Sequence, residues 1–223
     1  MKSETVVRLF LLVGFTGIYG ACIPYVVGST SRTAPEGVTQ QTVSTYIIPH
    51  TLELQKLPSD GAKIGLDVEA RRGLSPRSDV GIRFASGSGV TLSYKRRLDG
   101  ESNKLGPGVA IQVGGGIVDY ATHGEGEATL IVSGGEKRRL TPYGGLRVVG
   151  TIPLTEDAQY DEPVYGGFTG VRLGSSDLGI SAEVGVFRDK NQYVNFGRNI
   201  IVVPSISIHF DFLKALQRPR SAR

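Results

Sequence analysis

The chain has 223 residues, of which 31 are glycine, none is tryptophan and one is cysteine. A single cysteine excludes an intramolecular disulfide, and the length suffices for one domain or one closed barrel. The formal net charge of +4 comes from 25 basic and 21 acidic residues that are scattered along the sequence. Because binding to nucleic acid calls for basic residues gathered in a patch or stripe, no nucleic-acid partner is expected.

The first 22 residues are organised like an export signal. Two basic residues precede an apolar run at residues 9–18, and the small residues Gly20 and Ala21 stand before Cys22. This N-terminus resembles a bacterial lipoprotein signal, and the resemblance implies removal of residues 1–21 and lipidation of Cys22. Plain secretory cleavage is an alternative. A retained helical anchor is disfavoured, because glycines and a proline interrupt the span of about 20 apolar residues that such a helix needs.

Three further regions follow the signal. Residues 22–41 are rich in Ser, Thr, Gly and Pro and lack hydrophobic periodicity, which predicts a flexible tether. Residues 42–210 form the folded body. The basic residues 211–223 are expected to be a solvated C-terminal tail.

The folded body repeats one pattern, in which alternating apolar and polar residues are followed by Gly, Ser, Asp or Asn. In the first clear run, Ile64, Leu66 and Val68 share one face, while Asp67 and Glu69 share the other. A period of two indicates β-strands. We count about ten such runs, most of them close to the 9–11 residues of a tilted membrane strand.

A soluble β-sandwich also alternates apolar with polar residues, so other features must decide between the two folds. Glycines occupy the middle of several polar faces, and the apolar faces are mostly Val, Ile and Leu. The longer connections fall mainly on one side, as in outer-membrane barrels, although two depart from this rule: residues 86–89 form a short outer loop and residues 99–107 a long inner turn. Connections at residues 114–124, 151–163 and 188–198 are expected to be long outer loops.

The final run, residues 200–210, alternates and ends in the aromatic Phe210. With these features, residues 42–210 resemble the small bacterial outer-membrane β-barrel proteins. The resemblance implies an all-β, antiparallel up-and-down membrane barrel of about ten strands in the bacterial outer membrane. It also implies outer-membrane lipid and the barrel-insertion machinery as partners. A soluble β-sandwich or lipocalin-like barrel is the alternative fold.

Eight charged residues fall on the polar face of the predicted strands, so a closed barrel would collect them in its lumen. We expect a network of salt bridges that fills the interior, because an unpaired buried charge is costly. A pore with ion preference is the functional alternative, but ten strands only slightly exceed the barrel size that side chains fill. The eight residues are Asp67, Glu69, Arg71, Arg83, Lys95, Arg147, Arg172 and Glu183.

A possible hydrolytic site lies on the last two strands. Ser205, Ser207 and His209 share one face of the last strand, and Glu183 lies on the same face of the preceding strand. Nucleophilic catalysis requires a hydroxyl within hydrogen-bond reach of a base that an acid orients. Residues two apart on one strand rarely meet this geometry, so no catalytic residue is assigned.

One cluster contains metal-ligand residue types, at residues 123–127, where we expect a solvated outer loop. It lacks three or four ligands at fixed spacing, and no cofactor motif is present. The sequence therefore predicts a lipid-anchored outer-membrane barrel with a structural or interaction role, a filled lumen and no cofactor. The alternatives are a lipid-anchored soluble β-fold that binds a ligand or partner and, third, an outer-membrane hydrolase.

Overall fold

The computed structural model describes residues 25–48, 63–85, 88–99, 107–135, 140–158, 160–174, 178–190 and 199–211. In these residues, ten antiparallel strands follow one another around a closed barrel, and the first strand pairs with the last. The strands are β1 (Thr39–Ile48), β2 (Lys63–Ser75), β3 (Ser78–Ala85), β4 (Gly89–Arg97), β5 (Gly108–Val118), β6 (His123–Ser133), β7 (Leu140–Pro153), β8 (Val164–Gly174), β9 (Leu178–Arg188) and β10 (Ile200–Phe210). The predicted up-and-down barrel of ten strands is confirmed, and the chain does not form the alternative sandwich.

Several predicted segments fall outside the described residues. These are the signal at residues 1–21, Cys22, and the tail beyond Asp211. Among the described residues, no helix is both long enough and apolar enough to cross a membrane.

The two faces of the barrel wall have opposite polarity. Leu92 and Leu146 lie in the middle of their strands, point outward, and are 62% and 64% exposed. Along β9, outward Ile180 and Val184 alternate with inward Ser181 and Glu183, which are buried. The alternation that the sequence shows therefore places apolar side chains outside and polar side chains in the lumen.

The two ends of the barrel differ in their connections. One end carries the long connections from β1 to β2, from β7 to β8 and from β9 to β10, together with short ones from β3 to β4 and from β5 to β6, and we call it the loop end. The end that joins β2 to β3, β6 to β7 and β8 to β9 has short connections, and we call it the turn end. The connection from β4 to β5 is a long exception at the turn end, as the sequence indicated. Because β1 begins and β10 ends at the turn end, the chain enters and leaves the barrel wall at the same end.

The prediction of one outer loop is wrong. β5 continues to Val118 and β6 begins at His123, so the loop predicted at residues 114–124 is mostly strand. The glycines of this region allow close pairing with β4, because a Cβ on Gly116 would lie 2.1 Å from the carbonyl oxygen of Val90. Glycine marks a close backbone approach here rather than a loop.

The flexible tether expected at residues 22–41 is replaced by a buried segment in the part that the structure describes. Residues 25–34, which we call the plug, run through the lumen, and Tyr25 and Ala34 near its two ends are each 2% exposed. The chain then turns near Gly37, whose φ is +73° and whose N–H donates to the carbonyl of Gly73 at 3.0 Å. β1 follows from Thr39, three residues earlier than predicted.

Candidate functional site: the charged lumen and its plug

Seven of the eight charged residues predicted for the lumen are buried there, with at most 6% of their surface exposed. They are Asp67, Glu69, Arg71, Arg83, Lys95, Arg147 and Glu183. Arg172 on β8 is half-buried. It lines a cavity of about 30 Å³ near the turn end, together with Lys95 and His209. The β-strand alternation thus brings charges from six strands, β2, β3, β4, β7, β8 and β9, into one interior.

Arg71 is the centre of one group of ion pairs. Its Nη1 lies 2.7 Å from Glu69 Oε1, and its Nη2 lies 2.6 Å from Asp79 Oδ1. Lys95 Nζ lies 4.0 Å from the other oxygen of Asp79. The sequence analysis missed Asp79 because it stands beside the turn between β2 and β3. Its alternation with Gly81 and Arg83 on β3 was the signal that could have placed it in the lumen.

Glu127 is the centre of a second group. Its carboxylate pairs with the Arg147 guanidinium, lies 3.6 Å from Arg83 Nη1 and accepts a hydrogen bond from Gln112 Nε2 at 3.1 Å. Arg83 Nη2 also lies 3.6 Å from Glu69 Oε1. Arg83 therefore links the two groups into one network across the lumen, in which each close contact joins opposite charges.

The expectation of a solvated outer loop at residues 123–127 is wrong, because these residues begin β6. Glu125 and Glu127 both point into the lumen and are 7% and 6% exposed. In contrast with Glu127, neither carboxylate oxygen of Glu125 accepts a hydrogen bond from the described residues. The outward apolar positions that follow on β6, Ala128 and Leu130, were the sequence signal for this inward pair.

The plug is held at the loop end by aromatic and apolar contacts. The hydroxyl of Tyr25 donates to Asp189, which follows β9 directly. The Tyr25 ring lies 5.5 Å from the ring of Phe187, between centroids. Buried apolar side chains from four further strands complete this cluster: Tyr46, Ile48, Val149, Val164, Ile201 and Val203.

The middle of the plug is bound through its backbone. The N–H groups of Val27 and Gly28 donate to the two carboxylate oxygens of Glu183 at 3.0 and 2.9 Å. Arg147 Nη1 donates to the carbonyl of Val26 at 3.2 Å. Glu183, predicted as a salt-bridge residue of the wall, therefore binds the plug backbone.

Gly28 allows the plug to approach the wall closely. Its φ is +57°, and a Cβ at this position would lie 2.5 Å from Ser207 Oγ. Both the left-handed backbone and the lack of space require glycine.

The turn-end part of the plug is held by side chains from three strands. Lys95 Nζ donates to Ser29 Oγ at 2.8 Å and to the carbonyl of Thr30 at 3.3 Å. Ser31 Oγ lies 2.5 Å from Ser133 Oγ at the end of β6. The Ala34 N–H donates to Asp79 Oδ2 at 2.7 Å. Small Ser, Thr and Gly residues suit this role, since they leave the backbone accessible to the charged wall.

The hydrolase candidates are not assembled into a catalytic arrangement. Ser207 Oγ contacts Ser44 Oγ at 2.8 Å in the neighbouring strand. The two ring nitrogens of His209 contact hydroxyls, Nε2 with Ser181 at 2.8 Å and Nδ1 with Thr42 at 3.1 Å. Ser205 Oγ donates to the carbonyl of Glu183 at 3.4 Å. The sequence alternation placed these side chains on one face, but neighbouring strands bind them separately.

No group of three potential metal ligands occurs among the described residues. The arrangement of the lumen is that of an interior filled by ion pairs and by a segment of the same chain. Its charged side chains bind the backbone of that segment, as at Glu183 and Arg147.

The chain is similar to several solved structures. Neisserial surface protein A shares 12% identity over 78% of this chain and 96% of that chain, with a TM-score of 0.37. The outer membrane protein OprG from Pseudomonas aeruginosa shares 13% identity over 82% of this chain and 99% of that chain, with a TM-score of 0.34. The translocator domain of the autotransporter NalP from Neisseria meningitidis shares 12% identity over 93% of this chain and 95% of that chain, with a TM-score of 0.37.

No family model matches the chain, and no curated protein matches it.

Proposed function

We propose that this chain is a protein of the bacterial outer membrane, where the barrel spans the bilayer and Cys22 carries a lipid anchor. Its role is structural or interactive, with a lumen closed by its own N-terminal segment. The observation that supports this proposal is the reversed polarity of the wall, with apolar side chains outside and charged side chains inside.

The outer surface fits lipid rather than water. Exposed large apolar side chains occur on all ten strands, for example Ile47, Val68, Phe84, Leu130 and Ile206. Soluble proteins rarely expose contiguous apolar patches of more than a few hundred Å², whereas a membrane barrel requires an apolar band around its circumference. A soluble β-fold would place these residues in its interior, so the wall argues against the ligand-binding soluble alternative.

The interior supports a closed barrel rather than a pore. Ion pairs link β2, β3, β6 and β7 across the lumen, and the plug occupies its axis from Tyr25 to Ala34. A conducting channel needs a continuous polar path for hydrated ions, and a filled lumen disfavours one. The third alternative, a hydrolase, loses support because the serine and histidine candidates contact other partners.

The proposed partners are the outer-membrane lipid and the barrel-insertion machinery. The apolar band supports the lipid as a partner. The insertion machinery is supported by β10, where exposed Ile206 and Ile208 alternate with buried Ser207 and His209, and the strand ends at Phe210.

Fractionation of the full chain expressed in a Gram-negative host tests the proposal. We expect extraction from outer membranes only by detergent, and faster electrophoretic migration of the unboiled protein, because a closed barrel resists unfolding by detergent. The Cys22→Ala variant should lose an incorporated radioactive acyl label but stay in the membrane. Release of this variant as a fully soluble protein would contradict the membrane barrel and favour the soluble β-fold.

A further inference from the structure

The plug has a direction, and this direction determines on which side of the membrane the N-terminus lies. We infer that the plug carries the N-terminus of the mature chain out of the barrel at the loop end, on the cell surface. A lipid on Cys22 then enters the outer leaflet of the outer membrane. This inference rests on the proposed function, because it requires the barrel to span that membrane.

The contacts along the plug follow the barrel axis in order. Tyr25 contacts Asp189 and Phe187, which lie where β9 reaches the loop end. Gly28 is bound near the middle of β9, at Glu183. Ala34 is bound by Asp79, the second residue of β3 at the turn end. The chain therefore runs from the loop end to the turn end as residue number increases.

The reversal after the plug supports the same direction. Gly37 and Val38 form backbone hydrogen bonds with Gly73 near the turn between β2 and β3. β1 then starts at the turn end and runs back toward the loop end, antiparallel to β10 and β2. The plug and β1 thus form a hairpin in which one arm lies in the lumen and the other in the wall.

The connections indicate which end faces outward. Outer-membrane barrels have an even number of strands, short periplasmic turns and longer extracellular loops. In the described barrel, the start of β1 and the end of β10 lie together at the turn end, and three of the longer connections lie at the loop end. This assignment makes the turn end periplasmic and puts Tyr25 near the outer surface.

Chain length then limits the position of Cys22. Three residues of fully extended chain span at most about 11 Å, so Cys22 lies within that distance of Tyr25. The plug fills the lumen and leaves no second path through the barrel toward the periplasm. A lipidated Cys22 therefore reaches the bilayer at the loop end, in the outer leaflet.

Site-specific proteolysis of intact cells tests the position of the N-terminus. In the first variant, an epitope and a protease recognition sequence, flanked by flexible Gly/Ser residues, are inserted after Ile23. The second variant carries the recognition sequence after Asp157, in the connection between β7 and β8. The third carries it after Asp99, in the connection between β4 and β5. All three should migrate as folded barrels before the protease is added.

We expect the protease to cut the Ile23 and Asp157 insertions in intact cells and the Asp99 insertion only after the outer membrane has been permeabilised. An antibody against the epitope should also label intact cells that carry the first variant. The inference is overturned if the Asp157 insertion is cut in intact cells while the Ile23 insertion is cut, and its epitope detected, only after permeabilisation. Recovery of the protein as soluble periplasmic material would instead overturn the proposed membrane location.

Discussion

Glu125 and Glu127 show how two carboxylates on one strand can have opposite energetic effects. Both point into the lumen from β6 and are almost fully buried. Glu127 pairs with Arg147 and Arg83, whereas no described residue donates a hydrogen bond to Glu125. A buried carboxylate that is paired and hydrogen-bonded can be tolerated, but a buried polar group without hydrogen bonds costs free energy.

We expect Glu127→Gln to lower the stability of the barrel, because it leaves the buried Arg147 guanidinium without a counter-charge. Removing one partner from a buried ion pair costs about 3–5 kcal/mol. Glu125→Gln is the matched control and should be close to neutral, since no described residue donates a hydrogen bond to the Glu125 carboxyl group. The urea concentration at which the fast-migrating folded band disappears measures both effects. Equal losses in the two variants would contradict the assigned pairing.

The plug is the element that distinguishes this barrel from an empty cylinder. Its contacts involve β3, β4, β6, β7 and β9, and most of them reach its backbone or its small hydroxyl side chains. These contacts give the buried backbone and hydroxyl groups of the plug hydrogen-bond partners on the wall, which is why a polar segment is stable in this interior.

A disulfide between the plug and the wall tests whether the plug lies inside the lumen. In a Cys22→Ala background, Ser31→Cys and Ser133→Cys should oxidise together, because their hydroxyl oxygens lie 2.5 Å apart although 102 positions separate them. The crosslinked chain should migrate differently from the reduced chain after boiling. The wall pair Ser44→Cys and Ser207→Cys, with oxygens 2.8 Å apart, is the control. Oxidation of the wall pair alone would contradict a plug inside the lumen.

At the scale of the whole molecule, the polarity of the wall predicts that the free-energy cost of an outward-facing charge depends on its depth in the membrane. Val184 lies near the middle of β9 and is 43% exposed, while Leu178 begins the same strand and is 63% exposed. Val184→Arg should cost about 2–4 kcal/mol, whereas Leu178→Arg near the interface should cost about 0–1 kcal/mol. The yield of heat-modifiable protein in the membrane fraction measures the difference. Equal yields would contradict a bilayer around this wall.

The strands and the polarity of the wall could be predicted from the sequence because side-chain alternation is a local property. Ile64 and Val68 point outward, and Asp67 and Glu69 point inward, as the period of two requires. The same alternation placed most of the charged residues that were predicted for the lumen on its inner face. It failed where local signals were ambiguous, as at residues 114–124, where a run of glycines suggests a loop until the pairing of β5 with β4 is known.

The contents of the lumen were decided by the tertiary structure alone. Residues 25–34 have no periodicity because they belong to no sheet and are surrounded by the wall on all sides. Their burial depends on partners far away in sequence, such as Glu183, which lies 156 positions from Val27. A segment rich in Ser, Thr and Gly is ordered here by hydrogen bonds to buried polar and charged side chains of the wall. Only closure of the barrel gathers these side chains around the segment, because they come from strands that local sequence patterns cannot bring together.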